Sequence, residues 1–369
     1  MIRGARSVAL AAAPIPGPLI PGALFLVALV PAALIPAPLF GAGGVAGLSA
    51  TAQAAPASPR THVLIVTGLG GAPQYSEQFR EEAEALLDAL DSRLGVRETV
   101  AWLAEDEALS PRVVGRATLE AVEGEVRAMA ERAGPSDVAL ILLLGHGSGG
   151  GQESRFSLPG PDLSGETLSM WLRAFPTQTV AVVNAASASG GFVPAVAGER
   201  RIVVTATRSA RERERTHFGG FFVDAFALDE ADVDKDERVS LLEAFRYATG
   251  EVRRRYERDN EMLTEHALLD DDGDGEGSLE PSPDGPDGTL ANRFFLAQAP
   301  AALAEAAADD PAVAALLARK REVEDGIAAL RARRAEMEEE EYDAQLETLL
   351  VELARLNRAI REGGSVRCA

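Results

Sequence analysis

The sequence predicts an α/β protein: a mostly parallel sheet with helices on both faces, extended at the C-terminus by an α-helical hairpin or coiled coil. Three observations predict it. Between residues 61 and 206, short apolar runs alternate with segments of helical periodicity, and strands separated by helices need crossover connections and a parallel sheet. The runs are apolar throughout rather than at every second position, as strands covered on both faces are. From Asp310 onward the apolar residues fall into a four-three spacing among abundant Glu and Arg, the seam of packed helices.

Composition narrows the function classes. The chain of 369 residues has 57 acidic and 36 basic side chains, a formal charge of -21. Such a surface repels phosphate backbones and anionic lipid, so nucleic acid is not an expected partner, whereas cations are attracted. Cys368 is the single cysteine, which rules out an internal disulfide framework and a cysteine metal cluster. Residues 1–54 begin with Arg3 and Arg6, continue through an apolar stretch from Leu19 to Leu39, and end in Ala52-Gln53-Ala54. That pattern is a secretory signal, and it implies export to a periplasmic or extracellular compartment. Pro31, Pro36 and Pro38 argue against a stable spanning helix, which favours export after cleavage, with a retained membrane anchor as the alternative. Residues 55–60 read as a linker, 61–299 as the α/β domain and 300–369 as the helical hairpin.

The elements follow in order. His62 to Thr67 is a strand ending in Gly68-Leu69-Gly70-Gly71; Pro73 occupies the place of the last glycine of a dinucleotide loop and no Lys-Ser/Thr pair follows, so the glycines read as a plain turn. Phe79 to Leu90 has helical spacing, Val96 to Leu103 is a strand, and Ala117 to Ala130 is a second helix. Ala139 to Leu144 is a strand running into Gly145-His146-Gly147-Ser148. After a Gly-rich loop and a helix near Leu168 to Ala174, Thr179 to Val183 runs into Asn184-Ala185-Ala186-Ser187-Ala188-Ser189-Gly190-Gly191, and Arg201 to Ala206 completes the set. Ligand sites in open α/β sheets lie outside the carboxyl ends of the strands. His146 and Ser187 are therefore the first candidates for chemistry.

The order of these motifs resembles the caspase and legumain superfamily of cysteine peptidases. The glycine loop, the strand ending Gly145-His146-Gly147 and the later strand ending Ala186-Ser187-Ala188-Ser189-Gly190 carry the resemblance, which spans roughly residues 61 to 297. It implies a caspase/haemoglobinase-like fold and a polypeptide substrate or protein partner. His146 would be the catalytic acid/base, the Gly147 N-H would help hold an oxyanion, and Ser187 would stand at the nucleophile position. The family's nucleophile is a cysteine, and a thiolate is reactive without a tightly bound base. A serine hydroxyl needs a base within hydrogen-bond reach, itself oriented by a third group. No Asp or Glu marks that third group in the sequence. The expectation is a catalytically degenerate pseudopeptidase with a binding or scaffold role; the alternative is a hydrolase using Ser187 and His146. The late His266 could supply a base only in a lipase-like reading, which lacks its G-x-S-x-G elbow.

Two acidic loops suggest Ca²⁺. Over residues 232–243, Asp232, Asp234, Asp236 and Glu243 occupy positions 1, 3, 5 and 12 of an EF-hand-like loop, with Ser240 at 9 and Arg238 offering its backbone carbonyl. Glu237 stands where the sharp turn favours glycine, and the same acids could simply favour the N-terminus of the next helix. The second loop, with Asp270, Asp272 and Asp274, has the first half of the spacing and a glycine in place, but Pro281 at position 12. It reads as a rigid turn or a weak cation site. Asn292 to Leu296 reads as a last strand.

In the tail, Leu316, Lys320, Val323, Ile327, Leu330, Arg334 and Met337 form one seam, and Tyr342, Leu346, Leu349, Leu353, Leu356 and Ile360 repeat it out of phase. The phase break predicts two helices folding back, packed on their own core or paired with another chain, with Gly363-Gly364 at the end.

Overall fold

A computed structural model describes residues 59–96, 99–150, 153–236, 238–297, 307, 310–334 and 337–365. The segment 1–54 expected to be an export signal, most of the expected linker and Glu237 lie outside the described residues. Among those described, no helix is long and apolar enough to cross a membrane.

The predicted sheet forms. Its strands are β1 (Thr61–Thr67), β2 (Val100–Ala104), β3 (Gly115–Arg116), β4 (Val138–Leu144), β8 (Thr179–Asn184), β9 (Arg201–Thr205) and β10 (Leu268–Asp270), in the spatial order β10-β9-β8-β4-β1-β2-β3. All neighbours are parallel except β10, which runs antiparallel on β9. Side chains alternate across each strand. Val63 and Ile65 of β1 enter one core with helices α1 (Pro73–Ser92), α5 (Phe218–Ala227) and α6 (Leu241–Asp259). Leu64 and Val66 enter the other with α2 (Leu119–Arg132), α3 (Gly165–Trp171) and α4 (Phe192–Val196). Every residue of β1 is buried, which is why the run had to be apolar without alternation. Each fully buried Leu, Ile or Val contributes about 1.5–3 kcal/mol.

Local signals explain most helix starts. Pro73 sits in the first turn of α1, where its missing N-H costs nothing; the helix begins there rather than at Phe79. Thr118 and Ser164 cap α2 and α3 by accepting backbone N-H bonds. Ser240 and Glu243 form a reciprocal capping box at the start of α6.

Three features depart from the sequence expectations. The Gly-rich loop after β4 is a second, antiparallel sheet of β5 (Gly147–Gly150), β6 (Glu153–Phe156) and β7 (Leu163–Ser164), in the order β5-β6-β7. Asn292 to Leu296 is not a strand: Ala291–Arg293 is a 3-10 turn, and only Phe295 bridges, to Ser240. The Leu241 N-H donates to the Phe294 carbonyl, so the segment latches the start of α6 rather than extending the sheet. The edge strand β10 and helix α5, where two glycines interrupt the apolar pattern, were not expected.

The tail is a hairpin of α7 (Pro311–Ala332) and α8 (Glu339–Ser365). Val323, Ile327 and Leu330 of α7 and Tyr342 and Ile360 of α8 are buried, and Arg319 pairs with Glu352 across the seam. Helix α8 continues through Gly363 and Gly364 to Ser365. The hairpin lies against the α/β body through Arg238 to Glu324 and Arg293 to Asp325 ion pairs.

Candidate functional site

The carboxyl ends of β4 and β8 lie side by side, because these strands are paired neighbours. Their register brings Gly147 onto Ser187, two of the three catalytic candidates. Ser187 is only 4% exposed. Its Oγ accepts a bond from the Gly147 N-H at 3.3 Å and donates to the Gly147 carbonyl at 3.4 Å. Gly147 must be glycine for space, since a Cβ there would lie 2.2 Å from the Ser187 carbonyl oxygen. Directly after Ser187, Ala188 adopts a left-handed conformation with φ 53°, a strained turn for a residue with a Cβ. The Ala188 N-H donates to the Glu212 carbonyl at 2.7 Å, and Thr207 ties down Ser189 and Gly190.

His146 is held separately. Its ring meets Tyr75 edge-on at 4.8 Å and Phe79 at 5.3 Å, both from α1. Partial burial lowers its pKa below the usual histidine value, a hydrogen bond to the Gly70 backbone opposes this, and the nearby Arg215 charge lowers it further. The ring is therefore neutral near pH 7. The Gly70 peptide is itself fixed, because its N-H donates to Glu105 Oε2 at 3.1 Å and the Ser76 hydroxyl donates to the other carboxylate oxygen. Glu105 thus fixes the glycine loop beside the histidine. The sequence does not mark it, because its contact with Gly70 is made to a main-chain N-H, which leaves no residue-type signature.

Among the described residues no hydrogen bond joins His146 to Ser187. The arrangement has a neutral imidazole and a serine hydroxyl at adjacent strand ends, but the hydroxyl is engaged by the Gly147 peptide, and the proposed oxyanion donor points at that hydroxyl. His266 is directed elsewhere, with Nδ1 2.7 Å from Glu212 Oε1.

Beside this site, Glu265 is 3% exposed and accepts the N-H groups of His217 and Phe218 at the start of α5. Burial pushes it up to about 7, while burial, helped by Arg255 and Arg215, pushes His217 down to about 4. The folded Glu265 holds a proton that the unfolded chain has released above its ordinary 4.5, so its contribution falls as pH rises from 4.5 to 7. The unfolded His217 takes a proton below its ordinary 6.5, so its contribution falls as pH drops from 6.5 to 4. The two slopes oppose each other in the shared window. Urea titrations at several pH values are expected to give Glu265→Gln a steeper rise in stability over that window than the wild type has. Equal slopes would remove Glu265 as the opposing group.

The acidic loops are both assembled. One carboxylate oxygen each from Asp232, Asp234 and Asp236 lies within 4.8 Å of the others, as does a set from Asp270, Asp272 and Asp274. In the first loop the Arg238 guanidinium binds Asp236 at 2.5–2.9 Å and Glu324 of α7 at 3.1 Å, and lies 3.9 Å over the Phe295 ring. Glu243 accepts the Ser240 N-H and hydroxyl on one oxygen and the Val233 and Asp234 N-H groups on the other. Burial and then the Asp236, Glu243 and Asp232 charges push Asp234 up to about 6.

No family model and no curated protein matches the sequence. Among solved structures, that of drICE is similar at 12% identity, covering 54% of this chain and 85% of that one with a TM-score of 0.34. The structure of pro-sf-caspase-1 is similar at 12% identity, covering 55% of this chain and 83% of that one, also with a TM-score of 0.34.

Proposed function

We propose that this α/β protein is a catalytically degenerate, peptidase-like module that binds a polypeptide or protein partner rather than cleaving it. One observation carries this reading: the Ser187 hydroxyl is buried and closed onto the Gly147 peptide, with both its donor and an acceptor position used, while the neutral His146 ring is packed against Tyr75 and Phe79. A serine nucleophile needs a base taking its proton along a direct hydrogen bond and a free oxyanion donor. Ser187 has neither, because the Gly147 N-H that would hold the oxyanion is spent on the ground-state hydroxyl.

The test is direct. Full-length protein incubated with a broad peptide library and with a fluorophosphonate probe is expected to show neither turnover nor labelled Ser187. Ser187→Cys is expected to stay inactive as well, since the sulfur would occupy the same position against Gly147. Turnover by the wild type that disappears in Ser187→Ala would overturn the reading and establish a Ser187/His146 hydrolase.

A further inference from the structure

The loop following β10 contains a buried carboxylate oxygen with no partner. Asp270 is 0% exposed. Its Oδ2 accepts the Gly275 N-H at 2.7 Å, but its Oδ1 is buried with no hydrogen-bond partner among the described residues. An orphaned buried anionic oxygen is costly. Its surroundings aggravate the cost, since the charges acting on Asp270 are those of Asp287, Asp272 and Asp274.

The loop is built to hold this arrangement. Leu269 and Ser278 exchange both backbone hydrogen bonds, at 2.8 and 3.0 Å, and so close the turn. Gly273 and Gly275 have φ of +83° and +80°, and a Cβ on Gly273 would come within 3.0 Å of the Gly198 backbone. Asp272 and Asp274 are fixed by accepting the Asp274 and Glu276 N-H groups at 3.0 and 2.7 Å. The neighbouring acids do different work: Asp271 accepts the Gly288 and Ala291 N-H groups and Asp287 accepts that of Asp271.

We propose that Asp270, Asp272 and Asp274 bind a calcium ion, with the orphaned Asp270 Oδ1 as the buried ligand. Protonation of Asp270 would lift its own charge but leave the Asp272 and Asp274 carboxylates close together. A hard divalent cation gives the orphaned oxygen a partner and offsets the repulsion of three carboxylates together. Calcium takes oxygen ligands at about 2.3–2.6 Å, so ligands on opposite sides of one ion stand up to about 5 Å apart. The three carboxylates, all within 4.8 Å of one another, fit that span. The first loop has no comparable demand, since Arg238 neutralises Asp236 and Glu243 is saturated by donors. The ion would pin the antiparallel edge strand β10 to the connection between α4 and β9. That places it near the start of β9, away from the strand ends that carry His146 and Ser187.

Thermal unfolding of the full chain after chelation, with and without added CaCl₂, tests this. Calcium is expected to raise the wild-type Tm by roughly 5 °C at saturation. Asp270→Asn and Asp272→Asn are expected to lose the shift, and Asp234→Asn in the first loop to keep it. Because Asp272 is exposed, its variant remains informative if Asp270→Asn fails to fold. No calcium response in the wild type overturns the site, as does a full response in Asp272→Asn. Loss in Asp234→Asn alone would move the ion to the first loop and overturn the assignment.

Discussion

Phe156→Ala is expected to lower stability by about 3–5 kcal/mol, as read by the denaturant midpoint. The Phe156 ring is 0% exposed and fills the angle between the ends of β1 and β4. A Cβ on Gly68 would lie 2.9 Å from the ring, and one on Gly145 would do the same. The two glycines are therefore the socket of this side chain, and removing the ring empties it. A double-mutant cycle makes the relation quantitative. Gly145→Ala alone should cost about 2 kcal/mol by overpacking, yet much less in the Phe156→Ala background, where the methyl has space. Additive costs would show that the ring and the glycine are not coupled. The consequence reaches the candidate site, because Gly145 immediately precedes His146 and the second sheet begins at Gly147.

Gly147→Ala is expected to cost about 2–4 kcal/mol and to displace the Ser187 turn. Two backbone oxygens stand in the way of the new methyl, that of Ser187 at 2.2 Å and that of Arg155 at 3.1 Å. Neither can swing aside as a flexible side chain would. The clash lies across the β4 and β8 strand ends, so relief must break the Ser187 to Gly147 hydrogen bonds. Any partner binding at the site should weaken in parallel with that change. A folded variant with unchanged stability would mean that the strand ends are softer than their packing indicates.

The site was half legible in the sequence. His146 and Ser187 stand out because each follows a fully apolar strand, and the parallel pairing of β4 with β8 follows from the alternation of elements. The second sheet was not legible, because Gly147 to Gly150 has no β-forming side chains; it forms because Phe156 and Leu163 on its other strands enter the core. Glu105 was hidden for a similar reason, since it holds the Gly70 main chain rather than a side chain. The two acidic loops differ in a way that ligand spacing does not show. Ligand spacing favours residues 232–243, but a spacing rule cannot reveal that Arg238 folds back onto Asp236, or that among the described carboxylates of the two loops Asp270 retains a buried oxygen without a hydrogen-bond partner.

The parallel core of the main sheet, its two-sided burial and the folded-back tail can be read from the sequence alone. These depend on apolar periodicity, which one chain carries locally. Only the tertiary structure decided where the Ser187 hydroxyl points. Hydrogen-bond partners at a strand end are chosen by residues brought together from β4, β8 and α1, and their competition is settled by distances of a few ångströms that no spacing encodes.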